Sequence, residues 1–507
     1  MKGVVAAGHP LTAEAGADAL RAGGNAVDAA LAAMLMSWVA ESPLTGPGAG
    51  GFMLIHTSAG ETHLLDFFVA APGKDAPGPP GTLEPIEVRF SEDAVQVFHI
   101  GPASCGAYGN PLGVAVTAKR FGSMSLAEIA APAARAARDG IEVSITMRQF
   151  FEVLSPILTH TPEGRAIYAP DGRLLDVGER IRMPDVGDLI ERLGAEGPAF
   201  LYEGDTAHAV SDWVQERGGS ITTRDLAEYR VVERRPALAR YHGREILTNP
   251  PPSSGGILIA YSLDLMERLN PAPEHRLRTL VRVMDRTNRE RTRDFVRGLH
   301  SEGYLERFLA QEALESAERE VRNPLGNTTH LSVMDANGAC VSVTCSNGSC
   351  SGVVVPGTGV HLNNMLGEED LNPQGHRHEA GARVPSMMAP TVVLLDGEPE
   401  LAVGSAGSNR IRSAILQTVI NVVDRGRSAQ DAVDAPRLHY ENGVVEAEAG
   451  INADALEEIE RDGWRVVRWR DKNLYFGGVQ AVARHPETGA LSGGGDPRRG
   501  GVAVVVD

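Results

Sequence analysis

The order of helical and extended patterns along the chain limits the possible fold more than any other feature. Helical periodicity dominates residues 124–314, whereas alternating runs rich in β-branched residues dominate after Asn323-Pro324. A parallel sheet would require strands and helices that alternate along the chain, and the sequence lacks that alternation. The order of the patterns therefore predicts an α+β fold, in which helices cover mostly antiparallel strands.

Length and composition favour one folded domain over a fibrous or disordered chain. The 507 residues are 42% hydrophobic and 22% charged, which is ordinary globular usage. No internal repeat or low-complexity linker divides them, so we expect a single interwoven domain over residues 1–507. The unusual number is 57 glycines, which indicates many turns or sites built from backbone.

Charge and hydropathy narrow the expected partners and compartment. The net charge of −18 argues against a nucleic-acid partner, which would need a basic patch. The longest apolar stretch, residues 29–40, is too short to span a bilayer, so we expect no membrane partner. The first ten residues lack the apolar core of a signal peptide, and we therefore expect a cytoplasmic protein.

Two helices and a hairpin are among the predicted elements. Asn25 would cap a very apolar helix over Ala26–Ala40. Residues 328–334 and 339–344 alternate around a turn sequence and predict a β-hairpin. Residues 276–297 predict one charged helix, and their mixed charges favour a solvated face over a nucleic-acid surface.

Three motifs that suggest ligands have simpler explanations. Residues 46–51 fit G-x-G-x-x-G, but a helix precedes them and a strand follows, so we expect tight backbone packing rather than a phosphate site. His376-Arg377-His378-Glu379 lies in a polar loop and predicts a solvated turn rather than metal ligands. The cysteines lack zinc-site spacing and predict buried, reduced thiols: Cys105, Cys340, Cys345 and Cys350. We expect no metal and no cofactor.

The segment Asn327-Thr328-Thr329-His330 stands at the head of the predicted hairpin and contains a candidate nucleophile. A threonine hydroxyl needs a base beside it. A cut just before Thr328 would supply that base as the threonine's own α-amino group, whose pKa is about 8. Because β-branched residues also favour strands, residue chemistry alone leaves an ordinary strand start open.

Ten ordered segments together resemble the γ-glutamyltranspeptidase family of N-terminal-nucleophile hydrolases across nearly the whole chain. The segments are residues 8–16, 23–30, 46–54, 221–229, 250–256, 327–333, 362–364, 386–391, 404–411 and 434–437. The resemblance implies a four-layer αββα sandwich, with two antiparallel sheets between helical layers. It also implies a proenzyme that cuts itself between Asn327 and Thr328, leaving pieces of residues 1–327 and 328–507 that stay together.

The resemblance also assigns roles to individual residues. Thr328 would be the nucleophile, and Ser346 would supply a second hydroxyl near it. A nearby asparagine of the family falls on Asn347 or Gly348, depending on a one-residue gap. Backbone N–H groups of Gly407-Ser408 would hold the oxyanion, although residue chemistry alone favours a simple turn there.

Departures from the family pattern concern the substrate. Phe68 stands where the family has an arginine that binds the γ-glutamyl group, and a phenyl ring cannot pair with a carboxylate. The family's amine-binding aspartate falls on Glu368, with Glu369 and Asp370 alongside. The family's paired serines become Ser386 and Met387, so the pocket is expected to be more apolar.

Three functions follow from these residues. The first is an autoprocessing γ-glutamyltranspeptidase-like amide hydrolase or acyltransferase, which passes a γ-glutamyl or related acyl group to Thr328 and then to water or an amine. The second is an acylase for a different, less polar acyl amide, similar to the cephalosporin-acylase-like members of the family. The third is a non-catalytic binding protein. The expected partner is a small amide or peptide, and the cleaved heterodimer could assemble further.

Overall fold

The structure is a computed structural model that describes residues 1–89, 95–301, 303–309, 328–368, 371 and 378–507. Its helices are α1 Pro10–Arg21, α2 Ala26–Ala40, α3 Asn110–Phe121, α4 Leu126–Asp139, α5 Ile145–Leu158, α6 Pro162–Tyr168, α7 Pro184–Glu196, α8 Ala199–Tyr202, α9 Asp205–Glu216, α10 Thr223–Ala227, α11 Gly255–Leu269, α12 Arg276–Arg289, α13 Arg293–Gly298, α14 Tyr304–Leu309, α15 Arg410–Val423, α16 Ala429–Asp434 and α17 Ala453–Arg461.

The strands fall on both sides of residue 327. They are β1 Gly3–Ala7, β2 Gly50–His56, β3 Thr62–Phe67, β4 Glu84–Arg89, β5 Val95–Ile100, β6 Ile141–Glu142, β7 Arg180–Ile181, β8 Val232–Arg234, β9 Ala237–Tyr241, β10 Arg244–Thr248, β11 Thr329–Asp335, β12 Cys340–Ser346, β13 Val354–Val355, β14 Val360–His361, β15 Thr391–Leu395, β16 Glu398–Ala406, β17 Leu438–Glu441, β18 Val444–Ala447, β19 Arg465–Arg468, β20 Gly478–Arg484, β21 Leu491–Gly495 and β22 Val502–Val506.

Two large sheets contain most of these strands. Within the described residues, the first sheet has the order β22-β1-β11-β12-β2-β3-β8 and the second the order β21-β20-β16-β15-β10-β9. All of the pairings inside both sheets are antiparallel. Strands from before and after residue 327 are neighbours in each of these two sheets, so both halves of the chain contribute to each large sheet.

The two sheets pack face to face, with helices on their outer faces. Helices α1 and α2 contact the first sheet, α11 and α15 contact the second, and β11 and β12 contact β16 across the interface. This arrangement is the predicted αββα sandwich. It follows from alternation along strands: Leu331 and Val333 of β11 join the core beneath the helices, whereas Met334 joins the core that contains the second sheet.

One glycine sets how closely the sheets approach. A Cβ on Gly404 of β16 would lie 2.3 Å from Cε1 of the His330 imidazole on β11. His330 is buried between the sheets, where Nδ1 lies 2.8 Å from Thr344 Oγ1 and Nε2 2.9 Å from Ser332 Oγ. Burial lowers the pKa of His330 to about 3, so the ring is a neutral part of the interface. The strand that begins directly after Thr328 is thereby fixed against the second sheet.

Several local predictions match the structure. The helix over Ala26–Ala40 has the predicted bounds, and β11 and β12 form the predicted hairpin. The glycines of residues 46–51 serve backbone packing, since a Cβ on Gly48 would lie 2.1 Å from the His361 carbonyl oxygen. The four cysteines are buried free thiols, and burial raises the pKa of each.

One helix prediction is wrong. Residues 276–297 form two helices, because α12 ends at Arg289 and α13 begins at Arg293. The Thr292 hydroxyl accepts a hydrogen bond from the Phe295 N–H at 3.1 Å and caps the second helix.

In the predicted solvated turn, His376 and Arg377 lie outside the described residues, and Glu379 is exposed. Among the described helices, none combines the length and apolar character needed to cross a membrane.

Candidate active site

Thr328 lies directly before β11 and is 5% exposed. Its Oγ1 lies 3.4 Å from the hydroxyl oxygen of Ser346, the last residue of β12. Because side chains alternate along a strand, Thr328 points to the same side as His330, toward the second sheet. Asn327, the predicted residue before the cut, lies outside the described residues. The two hydroxyls predicted to cooperate are therefore neighbours at the end of the hairpin.

The turn after β12 presents backbone rather than the predicted asparagine side chain. The Gly348 N–H donates to Ser346 Oγ at 2.9 Å. Gly348 has a φ of 67°, and a Cβ there would lie 2.2 Å from Asn364 Oδ1, so only glycine fits. Asn347 is fully buried, and its amide Nδ2 faces Gly46 instead of the space beside Thr328. Of the two predicted alternatives, Gly348 is the one beside the nucleophile candidate.

Glu368 brings a carboxylate into the same region. Its Oε1 accepts hydrogen bonds from the Ser349 N–H at 2.8 Å and the Ser349 hydroxyl at 2.7 Å. The residue is 5% exposed, so these bonds fix a nearly buried carboxylate. Glu369 and Asp370, predicted alongside it, lie outside the described residues.

Phe68 and Met387, which depart from the family pattern, form another wall of this region together with Ser386. Phe68 is fully buried, and its ring stacks on Phe52 with centroids 5.3 Å apart. Met387 is also buried, and its sulfur accepts a hydrogen bond from Ser254 Oγ at 3.2 Å. The Ser386 hydroxyl oxygen accepts the N–H of Met388 at 3.0 Å. The Phe68 ring and the Met387 thioether are apolar, and the Ser386 hydroxyl is already hydrogen-bonded. This wall is therefore mostly apolar.

The N-terminal end of α15 closes the site from the second sheet. The carbonyls of Gly407 and Ser408 accept hydrogen bonds from Arg410 N at 3.1 Å and Ile411 N at 3.0 Å. In a trans peptide the N–H points away from the carbonyl, so the N–H groups of Ser408 and Asn409 point out of the helix end. The helix dipole adds partial positive charge there. Gly407 has a φ of 118° and Ser408 one of 53°, so this turn is built from left-handed backbone.

These features meet at one small cavity of about 40 Å³. Its described lining residues are Phe68, Thr328, Ser346, Gly348, Met365, Glu368, Leu371, Ser386, Met387, Met388, Ser408 and Ile411. Apart from Asn327, ten site residues were predicted. Eight of them line this cavity, whereas Asn347 and Gly407 do not. Among the described lining residues, Glu368 is the one ionisable side chain, and none is Lys, Arg or His.

Sequence reasoning missed a carboxyl group behind Thr328. Glu41, which follows α2, accepts hydrogen bonds from Thr12 Oγ1 at 2.8 Å and from the hydroxyl of Thr329. Burial raises the pKa of Glu41 to about 7. The available signal was a carboxyl at the end of an apolar helix, but its contact with Thr329 spans 288 residues of sequence. Glu41 therefore anchors the residue that follows the nucleophile candidate.

No metal centre is evident in the part of the chain that the structure describes. Within those residues, no group of three or more His, Cys, Asp or Glu side chains is arranged to hold a metal ion. The described lining of the cavity offers hydroxyls, backbone N–H groups and one carboxyl group.

An αββα sandwich with a threonine at the head of a central strand, facing a cavity, is the arrangement of N-terminal-nucleophile hydrolases. Comparisons with known proteins agree with that class. The family model described as gamma-glutamyltranspeptidase matches residues 12–506. The chain belongs to the gamma-glutamyltranspeptidase family.

Individual relatives and structures show the same likeness. The chain is 32% identical to an acylase ACY 1 proenzyme of Pseudomonas sp. strain V22, covering 100% of this chain and 94% of the relative. It is 29% identical to the glutathione hydrolase proenzyme of Escherichia coli K12, covering 98% and 90%. The cephalosporin acylase of Bacillus halodurans superposes with a TM-score of 0.82 at 26% identity, covering 99% and 95%.

These comparisons confirm four predictions: the family, the layered α+β fold, an enzyme of the N-terminal-nucleophile hydrolase type, and the first predicted function, a γ-glutamyltranspeptidase-like amide hydrolase or acyltransferase. The non-catalytic binding protein is thereby the weakest of the three predicted functions. The roles of individual residues, the compartment, the oligomeric state and the lack of nucleic-acid binding stay predictions.

Proposed function

We propose that the chain is a proenzyme whose Thr328 hydroxyl attacks the carbonyl carbon of Asn327. As the ester bond to Oγ forms, the bond between the Asn327 carbonyl carbon and the Thr328 nitrogen breaks, and the nitrogen takes the proton and becomes the free α-amine. Water then hydrolyses the ester, which releases the Asn327 carboxyl group and restores the Thr328 hydroxyl. The observation that carries this proposal is Thr328 Oγ1, 3.4 Å from Ser346 Oγ at the edge of the cavity. The acylase ACY 1 and glutathione hydrolase relatives are both proenzymes, which agrees with such a cut.

Turnover would use the same hydroxyl. The freed amine of Thr328, with a pKa of about 8, takes the hydroxyl proton as the oxygen attacks an amide substrate. N–H groups at the start of α15, including that of Ser408, would stabilise the oxyanion, and such donors contribute about 3–4 kcal/mol each. The amine product leaves, and water or an acceptor amine then takes the acyl group from the threonine ester.

The cavity favours an acyl group that is mainly apolar and carries no carboxylate at its far end. Phe68 and Met387 provide an apolar wall, and the described lining contains no cation that could pair with a carboxylate. Glu368 would repel a carboxylate and could hold an amine. This proposal places the chain nearer to the acylase relatives than to the glutathione hydrolases.

A γ-glutamyl donor is the second candidate. Glu368 lines the cavity, and its carboxylate would pair with the amine of that group. The γ-glutamyl carboxylate, however, would have no cationic partner among the described lining residues.

Anilides of equal chain length separate these acyl classes. Processed protein would be assayed with glutaryl, pentanoyl, 5-aminopentanoyl and γ-glutamyl p-nitroanilides. We expect kcat/KM for the 5-aminopentanoyl anilide to exceed that for the glutaryl anilide at least about tenfold, since one charged contact is worth more than 1.4 kcal/mol. Glu368→Gln should remove most of this preference. Turnover of the γ-glutamyl anilide alone would contradict our proposal for the acyl group.

A further inference from the structure

A buried carboxylate holds the start of α15 from behind. Glu441 ends β17 and is 6% exposed. Its Oε1 accepts a hydrogen bond from Asn409 Nδ2 at 3.0 Å, and Asn409 is the residue between Ser408 and the first residue of α15. The same oxygen lies 3.2 Å from Arg291 Nη1. One carboxylate therefore ties the helix start to a distant arginine.

His439 completes the surroundings of this carboxylate. Its Nε2 lies 3.0 Å from Glu441 Oε2, and its Nδ1 lies 2.7 Å from Ser413 Oγ on the first turn of α15. Burial lowers the pKa of His439, so the ring is neutral. Since an ionised carboxylate only accepts, Nε2 carries the proton and Nδ1 accepts from the serine hydroxyl. Glu441 is thus linked to α15 both directly and through His439.

The contacts cross the proposed cut in the chain. Arg291 follows α12 in residues 1–327, whereas Glu441 and Asn409 belong to residues 328–507. A second pair of contacts joins the same elements, because Asn288 of α12 accepts from Arg412 Nη1 at 2.8 Å and donates to the Tyr440 carbonyl at 2.8 Å. The end of α12 therefore docks on both α15 and β17.

We propose that Glu441 is a positioning residue: as the hydrogen-bond acceptor for Asn409 it holds the Ser408–Asn409 turn at the cavity, and Arg291 of the larger piece balances its buried charge. The proposal rests on the proposed function, in which N–H groups of that turn stabilise the oxyanion. An oxyanion donor acts only where its N–H lies within hydrogen-bond distance of the developing charge, and losing one costs about 10²–10³ in kcat. Without this hydrogen bond, the N–H groups of the turn would move away from the oxyanion, while the other substrate contacts would remain. We therefore expect kcat to fall by a larger factor than KM changes.

Two double variants test whether the acceptor at position 441 holds the turn. Both replace Arg291 and Glu441 together, so that neither buried charge is left without its partner. In Arg291→Met/Glu441→Gln the glutamine oxygen can still accept from Asn409, whereas in Arg291→Met/Glu441→Leu the side chain at position 441 has no acceptor. For the first variant we expect kcat, counted per cleaved molecule, to lie within about threefold of the wild-type value. For the second we expect a loss of at least about tenfold with KM within about twofold. Equal kcat values for the two variants would overturn the proposal.

Single substitutions test the same proposal in case a double variant fails to fold. Asn409→Ala removes the donor and leaves Glu441 paired with Arg291 and His439, and we expect the same selective loss of kcat. Wild-type kcat in Asn409→Ala would overturn the proposal even if a double variant failed to fold. Arg289→Ala, on an exposed ion pair with Asp285 of α12, is the control that should keep wild-type kcat. If wild-type protein itself shows neither processing nor turnover, the proposed function fails instead.

Discussion

Glu41 is a buried carboxyl whose charge depends on pH near neutrality. Its two oxygens accept from Thr12 and Thr329, one residue beyond the nucleophile candidate. Burial raises its pKa to about 7, whereas an unfolded chain has a glutamate pKa of about 4.3. Between these values the folded state binds more protons than the unfolded state. The free energy of unfolding therefore falls as pH rises through this range.

Glu41→Gln should remove this pH dependence. Relative to wild type, the variant should gain about 3 kcal/mol in unfolding free energy between pH 4 and pH 8, because glutamine does not titrate. The measurement is urea denaturation at both pH values in a Thr328→Ala background, which is expected to leave the chain uncut. A difference between variant and wild type that is the same at pH 4 and pH 8 would contradict the assignment.

The site residues illustrate what sequence alone can and cannot supply. Thr328 and Ser408 were predictable because each lies in a segment that resembles the family, and the same resemblance assigned Ser346 and Glu368, which lie outside those segments. Glu41 was not, because its role depends on a contact between α2 and β11 that no local pattern encodes. Choosing between Asn347 and Gly348 likewise required the backbone of the turn.

At the scale of single elements, prediction succeeded where a capping group marks the boundary. The Asn25 side chain accepts from the N–H groups of Val27 and Asp28 at 2.8 and 3.0 Å, and the Asp28 carboxylate accepts from Asn25 N at 2.8 Å. This capping box fixes the start of α2. The prediction of one charged helix over residues 276–297 was wrong, because Thr292 caps a second helix within that range.

Asn25→Ala should destabilise the protein by about 1–2 kcal/mol, because the first turn of α2 loses the acceptor for two N–H groups. Asn25→Ser, which can still cap, is the matched control and should cost less. Both would be measured by urea denaturation in the Thr328→Ala background. Equal stabilities for the alanine and serine variants would show that the cap contributes little.

At the scale of the whole molecule, the layered class was predictable but the strand order was not. β1 was missed because Gly3, Ala6 and Ala7 weaken its strand pattern, yet it lies between β22 and β11 in the first sheet. Pairings between the two ends of the chain depend on tertiary packing. The interleaving has a consequence for processing: pieces cut at residue 327 would share both sheets and should elute together without denaturant.

The mass and N-terminal sequence of the purified pieces show whether the chain cuts itself before Thr328. We predict two pieces of 327 and 180 residues under denaturing conditions, the smaller beginning at Thr328. Thr328→Ala, purified in the same way, should remain one chain without turnover. A wild-type chain that stays whole on prolonged incubation, or a smaller piece that begins at another residue, would contradict the account.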